Sequence, residues 1–326
     1  MNKVLIILSD NNKGKFIARG FSSAFKELRY FVYEKKIYDL NIDEINKISP
    51  NIIFVLWTDM TQKDVLIDFL NSYENETSIF IHCAELMSHI DDSFVDRKNH
   101  FIFTSDAKNK KFKFRSSIIP KDYKTKFRGY NYNITFAGNP ASKNREVLLA
   151  KLVYNFGPIN IFCRSYDFYK SVDDIQKNQI LDDYMLELYK SSYKGYVESQ
   201  KELSNIYVSS KINIDIENEE PKNLNYRLLE VLSSGGFLIA PYNKQIIKQF
   251  EDGKEFETYS SDFELVDKVN FYLKNLNIAQ LIAYNGKKNA VSNHSFYDRL
   301  KSMLRVIYGK DFSNRWWYCN KWTYKG

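Results

Sequence analysis

The sequence predicts an α/β protein of two Rossmann-like domains facing each other across a cleft. Three observations predict it. Short apolar runs alternate with amphipathic, helix-period segments through the first third of the chain. The alternation restarts near residue 134, within an expected second domain. The chain has 326 residues, 44% of them hydrophobic, which suits two cores at roughly 100–200 residues per domain. Only 12 glycines and 6 prolines occur, which argues against a turn-dense all-β protein.

Taken in order, residues 4–8 form a continuous apolar run, as expected of a strand buried on both faces of a parallel sheet. A polar turn at 9–14 follows, then a helix with Phe16, Ile17, Phe21, Ala24, Phe25 and Leu28 on its apolar side. Strands are expected at 30–33, 51–57, 78–82 and 101–103, with a helix near 62–71. Repeated βα units imply right-handed crossovers and a doubly wound sheet. In the second half, strands are expected at 134–138, 159–163, 206–208 and 237–240, with an extended segment at 211–216. Helices are expected near 144–154, 226–233, 243–250, 262–273, 278–291 and 295–307. The domains are assigned to residues 1–125 and 126–305, with an aromatic tail at 306–326 expected to pack back on the first domain or to meet a membrane interface.

The three cysteines, Cys83, Cys163 and Cys319, lie far apart without a CxxC, which argues against a disulfide framework or a structural zinc. No apolar stretch reaches 18 residues, and the run at 4–8 is too short for a signal-peptide core, so the expected location is cytoplasmic. The net charge of +7 is concentrated. Between Asp106 and Tyr130, nine basic residues face two acids, which matches the whole formal excess. A single basic segment beside the cleft fits a diphosphate, a lipid phosphate or an acidic glycan, or else a solvated linker. The segment carries no nucleic-acid-binding signature.

The most informative stretch runs from Asn223 to Ile239. A polar loop opens a short helix, the helix ends at Gly235-Gly236, and an apolar strand follows at once. One of the two glycines is expected to cap the helix with a positive φ. The helix N-terminus suits a diphosphate. Glu230, about a turn inside, can accept hydroxyl hydrogen bonds from a ribose or can be a helix-surface charge.

This stretch resembles the carboxy-terminal domain of the CgeB/YkvP-like glycosyltransferases, a branch of the GT-B fold. The residues that carry the resemblance are Asn225, Arg227, Glu230, Gly235 and Gly236. Further matches follow in order at Ile246 to Phe250, Gly253 to Glu255, Asp262, Leu265, Tyr272-Leu273, Ala283, Asn285-Gly286, His294 to Phe296 and Arg299. Together they cover about one third of the chain, residues 194–304. The resemblance implies transfer of a sugar from a nucleotide diphosphate donor, with UDP expected, to a hydroxyl of a glycan or glycolipid in bacterial surface polysaccharide biosynthesis. It implies that Glu230 binds the nucleotide ribose and that Asn225, Arg227 and backbone N–H groups hold the diphosphate. Many retaining relatives carry a second glutamate before this one. Here Lys222 stands eight positions before Glu230, and Glu219 and Glu220 are out of register, so neither retention nor inversion is assigned.

Other candidates come from strand ends, where parallel sheets expose side chains to ligand. His82 and Asp59 are candidate bases toward an acceptor hydroxyl, against the alternatives of a satisfied core histidine and a helix N-cap. Lys13 and Gly14 in the first βα loop, and Arg164 and Lys194 in the second half, are candidates for the donor phosphates. No two-histidine spacing suggests a metal, so the expected enzyme is metal-independent and uses no cofactor, the nucleotide sugar being a substrate. Nucleic acid is not an expected partner; peripheral membrane contact through 108–128 or the tail is. The alternatives are a non-catalytic nucleotide-sugar or acidic-glycan binding protein and a sugar-nucleotide epimerase.

Overall fold

The computed structural model describes residues 2–8, 12–57, 63–73, 77–83, 99–104, 112–113, 117–217 and 226–308. It divides into two compact units, residues 1–117 with 295–326, and residues 118–294.

The first unit holds strands β1 (Lys3–Leu8), β2 (Phe31–Lys36), β3 (Ile52–Trp57), β4 (Ser78–Cys83), β5 (His100–Thr104) and β6 (Phe112–Lys113). All pair in parallel, in the order β2-β1-β3-β4-β5-β6. Its helices are α1 (Asn12–Glu27), α2 (Ile42–Ile48) and α3 (Lys63–Ser72). Alternate strand residues serve opposite faces, because successive side chains on a strand point opposite ways. Leu5, Ile7, Ile53, Val55, Ile79 and Ile81 pack with Ile45, Leu66 and Leu70 of α2 and α3. Phe54 and Phe80, one position out of phase, stack on the other face, where Phe21 of α1 lies 4.3 Å from Phe54 between ring centroids.

The second unit holds β7 (Tyr132–Ala137), β8 (Asn160–Phe162), β9 (Ser210–Ile214), β10 (Leu238–Pro241) and β11 (Glu257–Tyr259). They too are parallel, in the order β11-β10-β9-β7-β8. The helices are α4 (Lys143–Phe156), α5 (Ser165–Lys177), α6 (Asp183–Ser191), α7 (Gln200–Val208), α8 (Tyr226–Ser234), α9 (Asp262–Lys274) and α10 (Leu276–Asn293). α4, α5, α6 and α9 bury Leu149, Leu152, Phe168, Tyr189 and Val269 with Phe136, Ile161, Ile212 and Ile214. α7 and α8 bury Ile206, Tyr207, Leu229 and Leu232 against Ala137, Phe162, Leu238 and Ala240 on the opposite face. Counted within each unit, the first five strands follow one order, 2-1-3-4-5. The architecture is repeated although the sequence is not.

Several expectations are corrected. Residues 206–208 are not a strand but the last turn of α7. Ser199 caps that helix by accepting from the Glu202 N–H, and Leu203, Ile206 and Tyr207 fall on one helical face. Residues 243–250 are a run of turns rather than a helix, begun where the Asn243 side chain accepts from the Gln245 N–H. The unit boundary falls at 117/118, not 125/126, because Ile118 and Tyr123 are buried in the second core and the Ile118 N–H donates to the His294 carbonyl. The helix α11 (Phe296–Tyr308) belongs to the first unit, not the second, since Phe296 packs on Phe16 and Phe21 of α1. Most of the aromatic tail lies outside the described residues. So does much of the basic segment; of its cations, Lys121, Lys124, Lys126 and Arg128 are exposed along the surface of the second unit.

Candidate functional site

In the second unit the strand order reverses between β7 and β9. A crevice forms beyond strand ends at such a switch point, and ligands of open parallel sheets bind there. The chain leaves β7 at Gly138 and β9 at Asp215. Two arginines converge on these two ends.

Arg227 sits in the first turn of α8 and reaches back to Asp215, with Nη1 2.5 Å from Oδ1. Asp215 is 1% exposed and the Arg227 side chain 18%. Burial opposes the guanidinium charge, but Asp215 more than offsets it and holds Arg227 above its ordinary pKa. The guanidinium lies 5.1 Å from the Phe136 ring centroid, in cation–π range. Its Nη2 lies against Gly138, and a Cβ at that position would collide with it.

Arg145, in the first turn of α4, approaches the same ring at 5.8 Å. Its Nε donates to the Ile216 carbonyl and its Nη1 to the Asn139 carbonyl, both at 2.8 Å. Burial, followed by the charge of Arg227, lowers its pKa. Two like charges held around one ring in a partly desolvated crevice make a prepared anion site. Asp215 is the buried counter-charge.

Glu230 lies about one turn after Arg227 on α8 and is half-buried. Burial pushes its carboxyl up to about 7, against the opposing pull of Arg227 and a hydrogen bond from Gln200. Gln200 also donates to the Tyr123 hydroxyl at 3.1 Å. At neutral pH this carboxyl is poised between its two protonation states.

The sequence candidates separate. Arg227 lies at the crevice, and Glu230 stands one helical turn on, close enough for the Arg227 charge to act on its carboxyl. Gly235 is not at the crevice: it lies at the far end of α8, about 12 Å along the helix from Arg227 at 1.5 Å per residue. There it has φ +85°, its N–H donates to Leu232 O, and the Gly236 N–H donates to Val231 O. That is a Schellman cap, so Gly235 terminates the helix as expected, away from the crevice. Thr125 and Lys287 also donate to the Ser234 carbonyl there.

Arg164 is exposed just past β8, with its guanidinium 5.5 Å from the Tyr196 ring centroid. Lys194 is exposed in the stretch that runs parallel to β8 at the sheet edge, and its Nζ donates to the Ser191 carbonyl. In the first unit, His82 is the penultimate residue of β4, and Lys13 and Gly14 lie in the first turn of α1. Asp59 and Asn225 lie outside the described residues. Among the described residues no cluster of three His, Cys, Asp or Glu is placed to hold a metal ion, and no helix is long and apolar enough to cross a membrane.

Sequence reasoning missed Gly138, Arg145 and Asp215. Each had a signal. Gly138 and Asp215 directly follow apolar strands, and Arg145 stands near the start of the helix that follows the first of them.

Residues 145–305 match the family described as "Glycosyl transferase-like". That span takes in Arg145, Asp215, Arg227 and Glu230. The whole chain is similar in structure to a glycosyltransferase from Rickettsia africae ESF-5, at 12% identity and TM-score 0.68 over 95% of this chain and 99% of that one. It is similar to Anabaena Alr3699/HepE in complex with UDP-glucose, at 11% identity and TM-score 0.67 over 95% and 100%. It is also similar to sucrose-phosphate synthase from Thermosynechococcus elongatus, at 8% identity and TM-score 0.66 over 95% and 100%. This protein is a glycosyltransferase of the GT-B fold. No curated protein sequence matches it. In the glycosyltransferase the matched segment carries both arginines and Asp215, while Phe136, Gly138 and Asn139, which they touch, precede it.

Proposed function

We propose that this glycosyltransferase takes its sugar from a nucleoside diphosphate donor bound at the second-unit crevice, with UDP as the nucleotide. One observation carries the reading. Arg145 and Arg227 are gathered around Phe136 at the strand switch point. Bond cleavage at the sugar leaves a nucleoside diphosphate, and fixed positive charge is what that leaving group needs. The two guanidiniums supply it without a metal ion. Glu230, as a carboxylate, accepts the ribose hydroxyls one helical turn away. UDP and UDP-glucose occupy the similar Anabaena protein, which supports uridine as the base.

Transfer to a glycan or glycolipid hydroxyl, and membership of the CgeB/YkvP-like branch, rest on the ordered residues from Asn225 to Arg299. His82, near the end of β4, is proposed as the base toward the acceptor, with Asp59 as its alternative. The enzyme would then act in the cytoplasm, with the exposed cations of the basic segment facing an anionic membrane or acceptor.

A thermal-shift series with UDP, GDP, ADP and UDP-sugars tests the donor site. A ligand at 100 times its Kd stabilises the native state by about 2.7 kcal/mol. UDP should raise the melting temperature by several degrees, and more than GDP or ADP does. No shift with any nucleotide would overturn the reading. His82→Ala should then keep the UDP shift and lose donor turnover; unchanged turnover would remove His82 from the site.

A further inference from the structure

The crevice contains one residue whose burial has no apolar explanation. Asp215 is 1% exposed, and a buried carboxylate is expensive unless it is paired. Its backbone is fixed from both sides. Its N–H donates to the Ile239 carbonyl, and its carbonyl accepts from the Tyr259 hydroxyl at 3.1 Å. The side chain therefore projects from a rigid point between β9 and β10.

Arginine offers a planar fork of five N–H donors. In Arg227, Nη1 is committed to Asp215. Nη2 faces the end of β7, where Gly138 leaves room that a Cβ would take away. The Phe136 ring supports the plane of the fork. Three contacts thus fix one guanidinium, and each comes from a different part of the switch point.

We propose that Asp215 is a positioning residue for glycosyl transfer. It aims Arg227 so that Nη2 meets the donor diphosphate, and Gly138 is its steric counterpart. The inference rests on the donor-site reading above. It goes beyond that reading because it assigns a role to a carboxylate that itself repels the ligand. Asp215 has value there only through Arg227. Without it, Arg227 would lose its paired carboxylate, and the charge of Glu217 would be left to offset the repulsion from Arg145.

The test compares affinities for UDP and for uridine, which lacks the phosphates, in wild type, Asp215→Asn and Gly138→Ala. Asp215→Asn keeps the shape and removes the charge. It should weaken UDP about tenfold, which is ~1.4 kcal/mol, and leave uridine within about twofold. Gly138→Ala should act in the same direction by displacing Nη2 with Asp215 intact; because it also strains a backbone at φ +153°, it supports the proposal only if uridine still binds within about twofold, and on that reading it keeps the test open if Asp215→Asn fails to fold. Asp215→Asn added to Arg227→Gln should cost no further UDP affinity, because the two act as a unit. Equal loss of UDP and uridine would mean a merely structural role and overturn the proposal. So would unchanged UDP binding, or tighter binding in Asp215→Asn, which would mean that the carboxylate competes with the ligand. A wild-type protein that binds uridine but not UDP would instead overturn the donor-site reading itself.

Discussion

The two sheets share a strand order but not a chemistry. Among the described residues, the strands of the first sheet bury one polar side chain, His100. One face of that sheet is a layer of phenylalanines, in which Phe54 meets Phe21, Phe25 and Phe80. The second sheet buries Thr135, Ser210, Asn213, Glu257 and Thr258 within its strands, the last donating to Asp252, and Asp215 just beyond one. Each has a partner that uses it. Thr135 and Ser210 join hydroxyls across β7 and β9 at 2.7 Å. The Asn213 amide donates to the Tyr207 and Phe237 carbonyls. Glu257 accepts from the Tyr272 hydroxyl and pairs with Lys268 at 2.9 Å. Strand order fixes where a crevice opens; buried polarity fixes what that crevice can hold. Among the described residues, the first sheet buries mostly apolar side chains, and the second also buries fixed polar and charged ones.

That contrast can be broken by mutation. The largest effect is expected from Phe54→Ala. The residue is fully buried among three rings, and truncation should cost about 3–5 kcal/mol in denaturant unfolding. UDP affinity of the folded fraction should stay within about twofold. A parallel loss of UDP binding would mean that the two sheets are not energetically separate. Next is Gly20→Ala. A Cβ there would run into the ring of Phe296, which comes from the far end of the chain. Overpacking of this kind costs about 1–3 kcal/mol. The loss should appear in the unfolding of the first unit. If the second unit were destabilised instead, the assignment of α11 to the first would fail.

The elements with strong periodicity were legible in the sequence. β1, β3, β4, α8, α9 and α10 lie within a few residues of where the apolar pattern puts them. α7 was not, because Ile206-Tyr207-Val208 has strand composition while the capping serine that makes it a helix stands seven residues earlier. α5 and α6 were passed over because their faces are rich in Tyr, Asp and Lys and their apolar stripe is thin. Of the site, Arg227 and Glu230 were legible because they share one helix. Asp215 and Arg145 were not, because what joins them to Arg227 is the parallel pairing of β7 and β9, a contact between residues far apart in the chain. Gly138 was noted as a strand end, but the approach of Arg227 to it is purely tertiary.

The smallest expected effect is the most specific one. Glu230 has its carboxyl raised from an ordinary glutamate value to about 7, chiefly by burial. For such a group the neutral form is favoured in the native state. Its contribution to stability is therefore fully present below about pH 4.5 and is lost as pH rises through about 7. Glu230→Gln removes the ionisation. The variant should match wild type near pH 4.5 and melt a few degrees higher at pH 8, about 2–4 °C for each kcal/mol recovered. Donor binding should run the other way. Ribose hydroxyls donate to the carboxylate, so wild-type affinity for a UDP-sugar, whose diphosphate diester has no group that titrates near neutrality, should rise with pH through about 7, and binding near that pH should release a proton. Calorimetry in two buffers of different ionisation enthalpy measures that proton directly. In Glu230→Gln the affinity should be lower and independent of pH over this range. A variant that is more stable at pH 8 yet binds the donor as well as wild type would leave Glu230 as a half-buried helix residue with no part in holding the donor.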